Sequence, residues 1–112
     1  MGIDVTLYNH CPQCGKYEEF YSDNTTHNLI EMASEARIYR AVWRPDENGI
    51  KKAEQLIEPL SKGIAEMEND PERFKALNPI NGWGSYETFL PWLRRYLKAC
   101  QENPEAFVRV SR

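Results

Sequence analysis

Both ends of this 112-residue chain alternate between apolar and polar residues, whereas the segment between them does not. Near the start, Ile3, Val5 and Leu7 fall on one face, which is the pattern of a half-buried strand. Residues 17–21 are expected to return as a second strand after a tight turn, and residues 106–110 alternate again. Because terminal strands of a small domain commonly pair, we predict a small antiparallel sheet that joins the N-terminal strands to the C-terminal strand.

Between these strands the apolar residues repeat at helical spacing, beginning with Leu29, Met32 and Ala33. The first helix must end before Pro45, because a proline disfavours helix in the residue before it. Pro59 is expected to kink or divide the next helix. The predicted helical segments are 29–43, 50–68, 71–77 and 86–102, and Ser85 is expected to cap the last of them. The order of elements predicts a single α+β domain, residues 1–112, with several helices packed on one face of the sheet.

The composition is that of an ordinary globular protein, with 41% hydrophobic and 28% charged residues. No apolar run approaches the ~20 residues that span a bilayer, and the first residues do not form a signal peptide, so we expect a cytoplasmic protein without membrane association. The net charge of −3 argues against nucleic-acid binding, because duplex affinity comes largely from cations that neutralise phosphates.

The turn between the first two strands contains two cysteines, Cys11 and Cys14, in a Cys-Pro-Gln-Cys-Gly sequence. This spacing is typical of a zinc knuckle, because the turn directs two thiolates to one point. The remaining candidate ligands are two histidines and a third cysteine, namely His10, His27 and Cys100. A second copy of the chain, in a homodimer, could also complete a structural zinc site. The alternatives are a redox disulfide, although the pair does not open a helix, and two turn cysteines without metal.

Three polar segments lie next to predicted helix ends, where backbone groups are left unpaired. Their candidate ligand-binding residues are Asn24, His27, Asn28, Trp43, Arg44 and Trp83. If the segments converge on one pocket, the amides and the histidine would hydrogen-bond a ligand, the arginine would oppose its charge, and a tryptophan would stack on its ring. Alternatively, each segment serves only as a helix cap or a core contact.

Five segments of the chain, taken together, resemble a family of small phage and prophage proteins of unassigned function. They read NTTHNL at 24–29, WRP at 43–45, LIEPL at 56–60, NGWGSY at 81–86 and VRVSR at 108–112. The cysteine turn lies outside the resemblance, and Arg37 stands where a glycine is expected at a helix end. The resemblance implies no activity, but a phage origin favours proteins that bind host factors or small signalling molecules in the cytoplasm of a bacterial host.

No sequence motif indicates an enzyme, and His27 is the one plausible acid–base group if the protein is a small hydrolase. The leading hypothesis is a non-enzymatic phage-type binding protein with a polar pocket for a small, anionic or nucleotide-like ligand. The alternative is a protein-interaction domain, with or without a zinc staple, that targets a host or phage protein.

Overall fold

The computed structural model describes residues 2–10, 13–82 and 84–112. Strands β1 (Gly2–His10) and β2 (Tyr17–Thr26) form an antiparallel hairpin. Strand β3 (Phe107–Ser111) pairs antiparallel with the other edge of β1, so the strand order is β2-β1-β3. The predicted α+β fold, with its sheet joining both ends of the chain, is confirmed.

Five α-helices lie between β2 and β3 in the part of the chain that the structure describes. They are α1 (Ile30–Glu35), α2 (Tyr39–Trp43), α3 (Glu54–Asn69), α4 (Pro71–Lys75) and α5 (Tyr86–Glu102). Short 3-10 helices occupy His27–Leu29 and Pro45–Asn48. Contrary to one of the two expectations, α3 is a single helix that continues through Pro59.

Across the described residues, none of the helices has both the length and the apolar character needed to cross a membrane.

The first predicted helix is divided into α1 and α2 by a turn at Arg37, whose φ is +64°. The Arg37 N–H donates to the Ser34 carbonyl at 3.0 Å, and the Ile38 N–H donates to the Ala33 carbonyl at 2.9 Å. This pair of bonds is a Schellman motif, which ends a helix with one residue in the left-handed region. Glycine is usual at that residue, because any other side chain is strained there.

The helices cover the face of the sheet that carries Ile3, Val5 and Leu7, and these three side chains are buried. Aromatic rings from α2 and α5 form a row through this core, with neighbouring ring centroids between 5.5 and 6.2 Å apart. The row consists of Trp43, Phe89, Trp92 and Tyr96. The opposite face of β1 carries Asp4 and Tyr8, which keep contact with solvent.

Candidate functional site

The sequence predicts that Trp43 stacks on a ligand, whereas the structure buries its ring. Trp43 is 1% exposed, lies parallel to Tyr39 at 5.9 Å, and meets Phe89 edge-on at 6.2 Å. The ring therefore packs the end of α2 against α5. This corrects the predicted role of Trp43, because a ring in the core cannot stack on a ligand at the surface.

Arg44 is partly exposed and is held by two neighbours. Its Nε donates to the Tyr39 hydroxyl oxygen at 3.1 Å, and its Nη1 donates to Glu47 at 2.6 Å. Beside it, Arg112 donates to the Trp43 carbonyl at 3.0 Å, which ties this helix end to the residue after β3. The charge of Arg44 is therefore opposed within the chain rather than left for a ligand.

Two of the predicted polar segments meet each other. The Thr26 hydroxyl accepts a hydrogen bond from the Asn28 N–H at 3.2 Å and caps the first 3-10 helix. Gly84, with φ at +92°, lies so close to this cap that a Cβ there would be 2.9 Å from Thr26 Cγ2. Glycine is required at this position both for its conformation and for the close approach. The loop before α5 therefore packs on the segment that follows β2.

Asn28 lines a polar cleft of about 580 Å³ together with Glu31 and residues 76–81. The described lining of this cleft includes neither Trp43 nor Arg44. Trp83 lies outside the described residues, so its predicted role stays a prediction.

His27 and Arg44 lie at opposite edges of the sheet. His27 directly follows β2, whereas the 3-10 helix that begins after Arg44 contacts β3. Strand β1 lies between these edges, and neighbouring strands are about 4.8 Å apart. Asn24 belongs to β2, where it is exposed and pairs with Asp4 instead of capping a helix. The described members of the predicted set therefore do not converge on one cleft.

The structure also separates His27 from Cys14, which is exposed in the turn between β1 and β2. The ten residues of β2 lie between them, and at about 3.3 Å per residue they span about 30 Å. Ligands of one zinc ion lie only about 2.0–2.3 Å from the metal. The prediction that His27 joins Cys14 at a zinc ion is therefore wrong within one chain.

The other candidate zinc ligands differ in burial and in distance from the cysteine turn. Cys100 is buried in the core, and Cys11 lies outside the described residues. His10 pairs with Tyr17 at the turn end of the hairpin, which makes it the histidine nearer to Cys14. Within residues 2–10, 13–82 and 84–112, no three His, Cys, Asp or Glu side chains form a group that could hold a metal. Zinc at the cysteine turn stays a prediction.

A different group of residues converges on the face of the sheet opposite the helices, and we call it the aromatic–cationic surface. Its members are Tyr8, Tyr17, Lys52, Phe107 and Arg109. The sheet register produces the group, because Tyr8 lies directly opposite Phe107 and diagonally to Tyr17 and Arg109. The ring of Tyr8 is 5.4 Å from that of Tyr17 and 5.6 Å from that of Phe107.

Both cations of this surface lie over aromatic rings. The Arg109 guanidinium carbon is 5.2 Å from the Tyr8 ring centroid, and its Nη2 donates to the Tyr17 hydroxyl at 2.8 Å. The Lys52 ammonium is 5.2 Å from the centroid of Phe107. Within the described part of the chain, neither cation forms an ion pair with a carboxylate. Aromatic rings therefore hold both positive charges in place, and no described carboxylate pairs with either of them.

A cleft of about 570 Å³ opens beside this surface. Lys52 and Phe107 line it, together with His10, Phe20 and the loop that follows α5. The cleft therefore extends the aromatic–cationic surface into a concave site that could enclose part of a small molecule.

Sequence reasoning did not predict this surface. One signal was present, since the alternation of both terminal strands places Tyr8 and Arg109 at solvent-facing positions, where an aromatic ring and a cation can meet. The contribution of Tyr17 and Lys52 depends on strand register and on a bridge between Lys52 and Phe107, neither of which a local pattern shows.

A comparison of the chain with protein-family models, with curated proteins and with solved structures finds no match.

Proposed function

We propose that this protein is a non-enzymatic binding module for a small anionic ligand with a planar ring, such as a nucleotide, and that it acts in the cytoplasm of a bacterial host. The observation that supports this proposal is that both cations of the aromatic–cationic surface contact aromatic rings and no described carboxylate. The ligand class is the one expected from the sequence, but the site differs from the set of residues predicted there.

The two cations suit an anionic group. A guanidinium presents a rigid fork of N–H donors that matches the oxygens of a phosphate or a carboxylate. Arg109 is held over Tyr8 and bonded to Tyr17, so less side-chain freedom is lost when an anion binds. Lys52 adds a second positive charge to the lining of the adjoining cleft, which also includes Glu102 and Glu105.

The rings suit a planar base. Tyr17 is 45% exposed, and Phe107 is partly exposed beside the cleft. Stacking of a base on an aromatic side chain contributes about 1–3 kcal/mol and depends little on which base is bound. The surface offers hydrogen-bond donors and rings rather than a nucleophile beside a base, which is why we propose binding and not catalysis.

Calorimetric titration at low salt with AMP, adenosine and inorganic phosphate tests this proposal. We expect AMP to bind more tightly than either of its parts, and Arg109→Gln and Lys52→Gln each to weaken AMP binding about tenfold or more. Lys62→Gln is the matched control, because it removes one exposed cation of α3 that neither belongs to the surface nor lines its cleft. Absence of saturable AMP binding, or equal affinity of Arg109→Gln and Lys62→Gln, would contradict the proposal.

The alternative function, a protein-interaction domain for a host or phage protein, is favoured by the free edge of β2. Among the described residues, strand β2 pairs only with β1, and Phe20, the extra residue of a bulge in this pairing, is 41% exposed. An exposed edge strand with an apolar side chain is a common place for another chain to pair. Co-purification of one partner that is lost with Phe20→Ser and kept with Arg109→Gln would favour this alternative, whereas saturable AMP binding that is lost with Arg109→Gln, without any co-purifying partner, would favour the small ligand.

A further inference from the structure

We propose a second anion-binding site at the turn between α1 and α2, separate from the aromatic–cationic surface, for an oxyanion of the phosphate type. Arg37 and Arg40 line one cleft of about 450 Å³ there, together with Ser34 and Tyr39. Two arginines and two hydroxyl-bearing residues thus line the same space.

The conformation of Arg37 is the first argument for this site. Its φ of +64° places it in the left-handed region, at the position of the Schellman motif where glycine has no steric cost. A bulky side chain in this region is strained, and such strain recurs at binding sites. Glycine would end α1 equally well, so the helix end does not require the arginine side chain.

The charge distribution is the second argument. Although acidic residues outnumber basic ones by 17 to 14, neither Arg37 nor Arg40 forms an ion pair with a carboxylate in the described residues. Five other arginines do form such pairs, namely Arg44, Arg73, Arg94, Arg95 and Arg112. Most arginines of this chain thus pair with carboxylates, whereas Arg37 and Arg40 line the same cleft without an ion pair in the described residues. Arg37 also lines a neighbouring cleft with Glu58 and Glu66, but it forms no ion pair with either of them.

The hydroxyl groups complete the donor set. The Tyr39 oxygen accepts the Nε–H of Arg44 at 3.1 Å, so the Tyr39 hydroxyl hydrogen is left to donate elsewhere. Ser34 adds a second hydroxyl to the lining. Two forked guanidinium groups and two O–H donors match the several acceptor oxygens of a phosphate, which takes charge-assisted hydrogen bonds from arginine.

Arg37→Gly provides a sharp test, because a binding role and a purely structural role predict different results. We expect this variant to raise Tm by about 4 °C, since glycine relieves the strain at positive φ. We also expect it to weaken binding of inorganic phosphate, followed by NMR shifts of the α1–α2 turn at low salt, by tenfold or more. Arg40→Gln should weaken binding similarly without raising Tm.

Two further variants complete the experiment. Lys98→Gln is the matched control, because it removes an exposed cation of α5 that lines neither this cleft nor the neighbouring one, and it should bind phosphate like the wild type. Arg109→Gln should keep the shifts in the α1–α2 turn, which separates this site from the aromatic–cationic surface. The inference is overturned if wild-type protein shows no saturable shifts in the turn, or if Arg37→Gly and Arg40→Gln both bind phosphate like Lys98→Gln.

Discussion

Gly63 allows α3 to approach the turn between α1 and α2, and Gly63→Ala tests how tightly the two are packed. In an open helix position, alanine is favoured over glycine by about 1 kcal/mol. Here a Cβ at residue 63 would lie far inside van der Waals contact of Ile38 Cγ2. Ile38 is 1% exposed, and its N–H is bonded to the Ala33 carbonyl, so its side chain has little room to move.

The two effects have opposite signs, and the clash should be the larger. Overpacking of a core costs about 1–3 kcal/mol, and a contact this close to a fixed side chain belongs in the upper half of that range. After the gain in helix propensity is subtracted, we expect Gly63→Ala to lower the free energy of unfolding by about 1–2 kcal/mol. Urea unfolding followed by tryptophan fluorescence would measure this as a lower midpoint at an unchanged m-value.

Two variants check the reasoning. Ser61→Ala changes an exposed position of the same helix and should stabilise the protein slightly, by about 0.5 kcal/mol or less. Ile38→Leu removes the methyl branch at Cβ, so the penalty of Gly63→Ala should largely disappear in the double variant. If Gly63→Ala stabilises the protein as much as Ser61→Ala does, the packing argument is refuted.

Three further predictions concern pH, metal and nucleic acid. Burial raises the pKa of the Cys100 thiol from 9.0 to about 12, so its contribution to stability is complete below pH 9 and is lost as the pH rises to about 12. Cys100→Ala should therefore flatten the alkaline fall of unfolding free energy by up to about 1.4 kcal/mol per pH unit, and an unchanged slope would contradict this. If Cys11 and Cys14 bind zinc, protein purified under reducing conditions should contain one zinc per chain or per dimer and Cys14→Ser should lose it, whereas metal-free wild-type protein would end the zinc hypothesis. The net charge of −3 predicts no appreciable binding to duplex DNA near physiological salt, and salt-sensitive binding with sub-micromolar affinity would show that prediction to be wrong.

The sequence predicted well those elements whose signals lie within the element itself or beside it in the chain. The apolar residues at positions 3, 5 and 7 predicted both β1 and its buried face, since successive side chains of a strand point to opposite faces of the sheet. Ser85 was expected to cap the last helix, and it forms a capping box with Thr88. Such signals act within a few residues, so they do not depend on which elements later pack together.

Two features that the sequence did not predict have different causes. Thr26 caps the short helix that follows, but residues 24–26 also extend β2, because residues 2–4 of β1 offer backbone hydrogen bonds across the hairpin. The division of α1 from α2 was missed because an arginine holds the position that glycine usually takes. In the first place a partner strand extends the element, and in the second the usual local signal for a helix end is absent.

The candidate site was decided almost entirely by tertiary structure. The apolar patterns of the sequence predicted a small α+β fold, and its polar segments suggested an anionic ligand. The aromatic–cationic surface instead joins Tyr8 to Arg109 through the register of β1 with β3. Trp43 was predicted to contact a ligand, but its ring is buried in the core because α2 packs against α5. Whether an aromatic ring faces solvent or the core is set by the elements that cover it, and those elements lie far away in sequence.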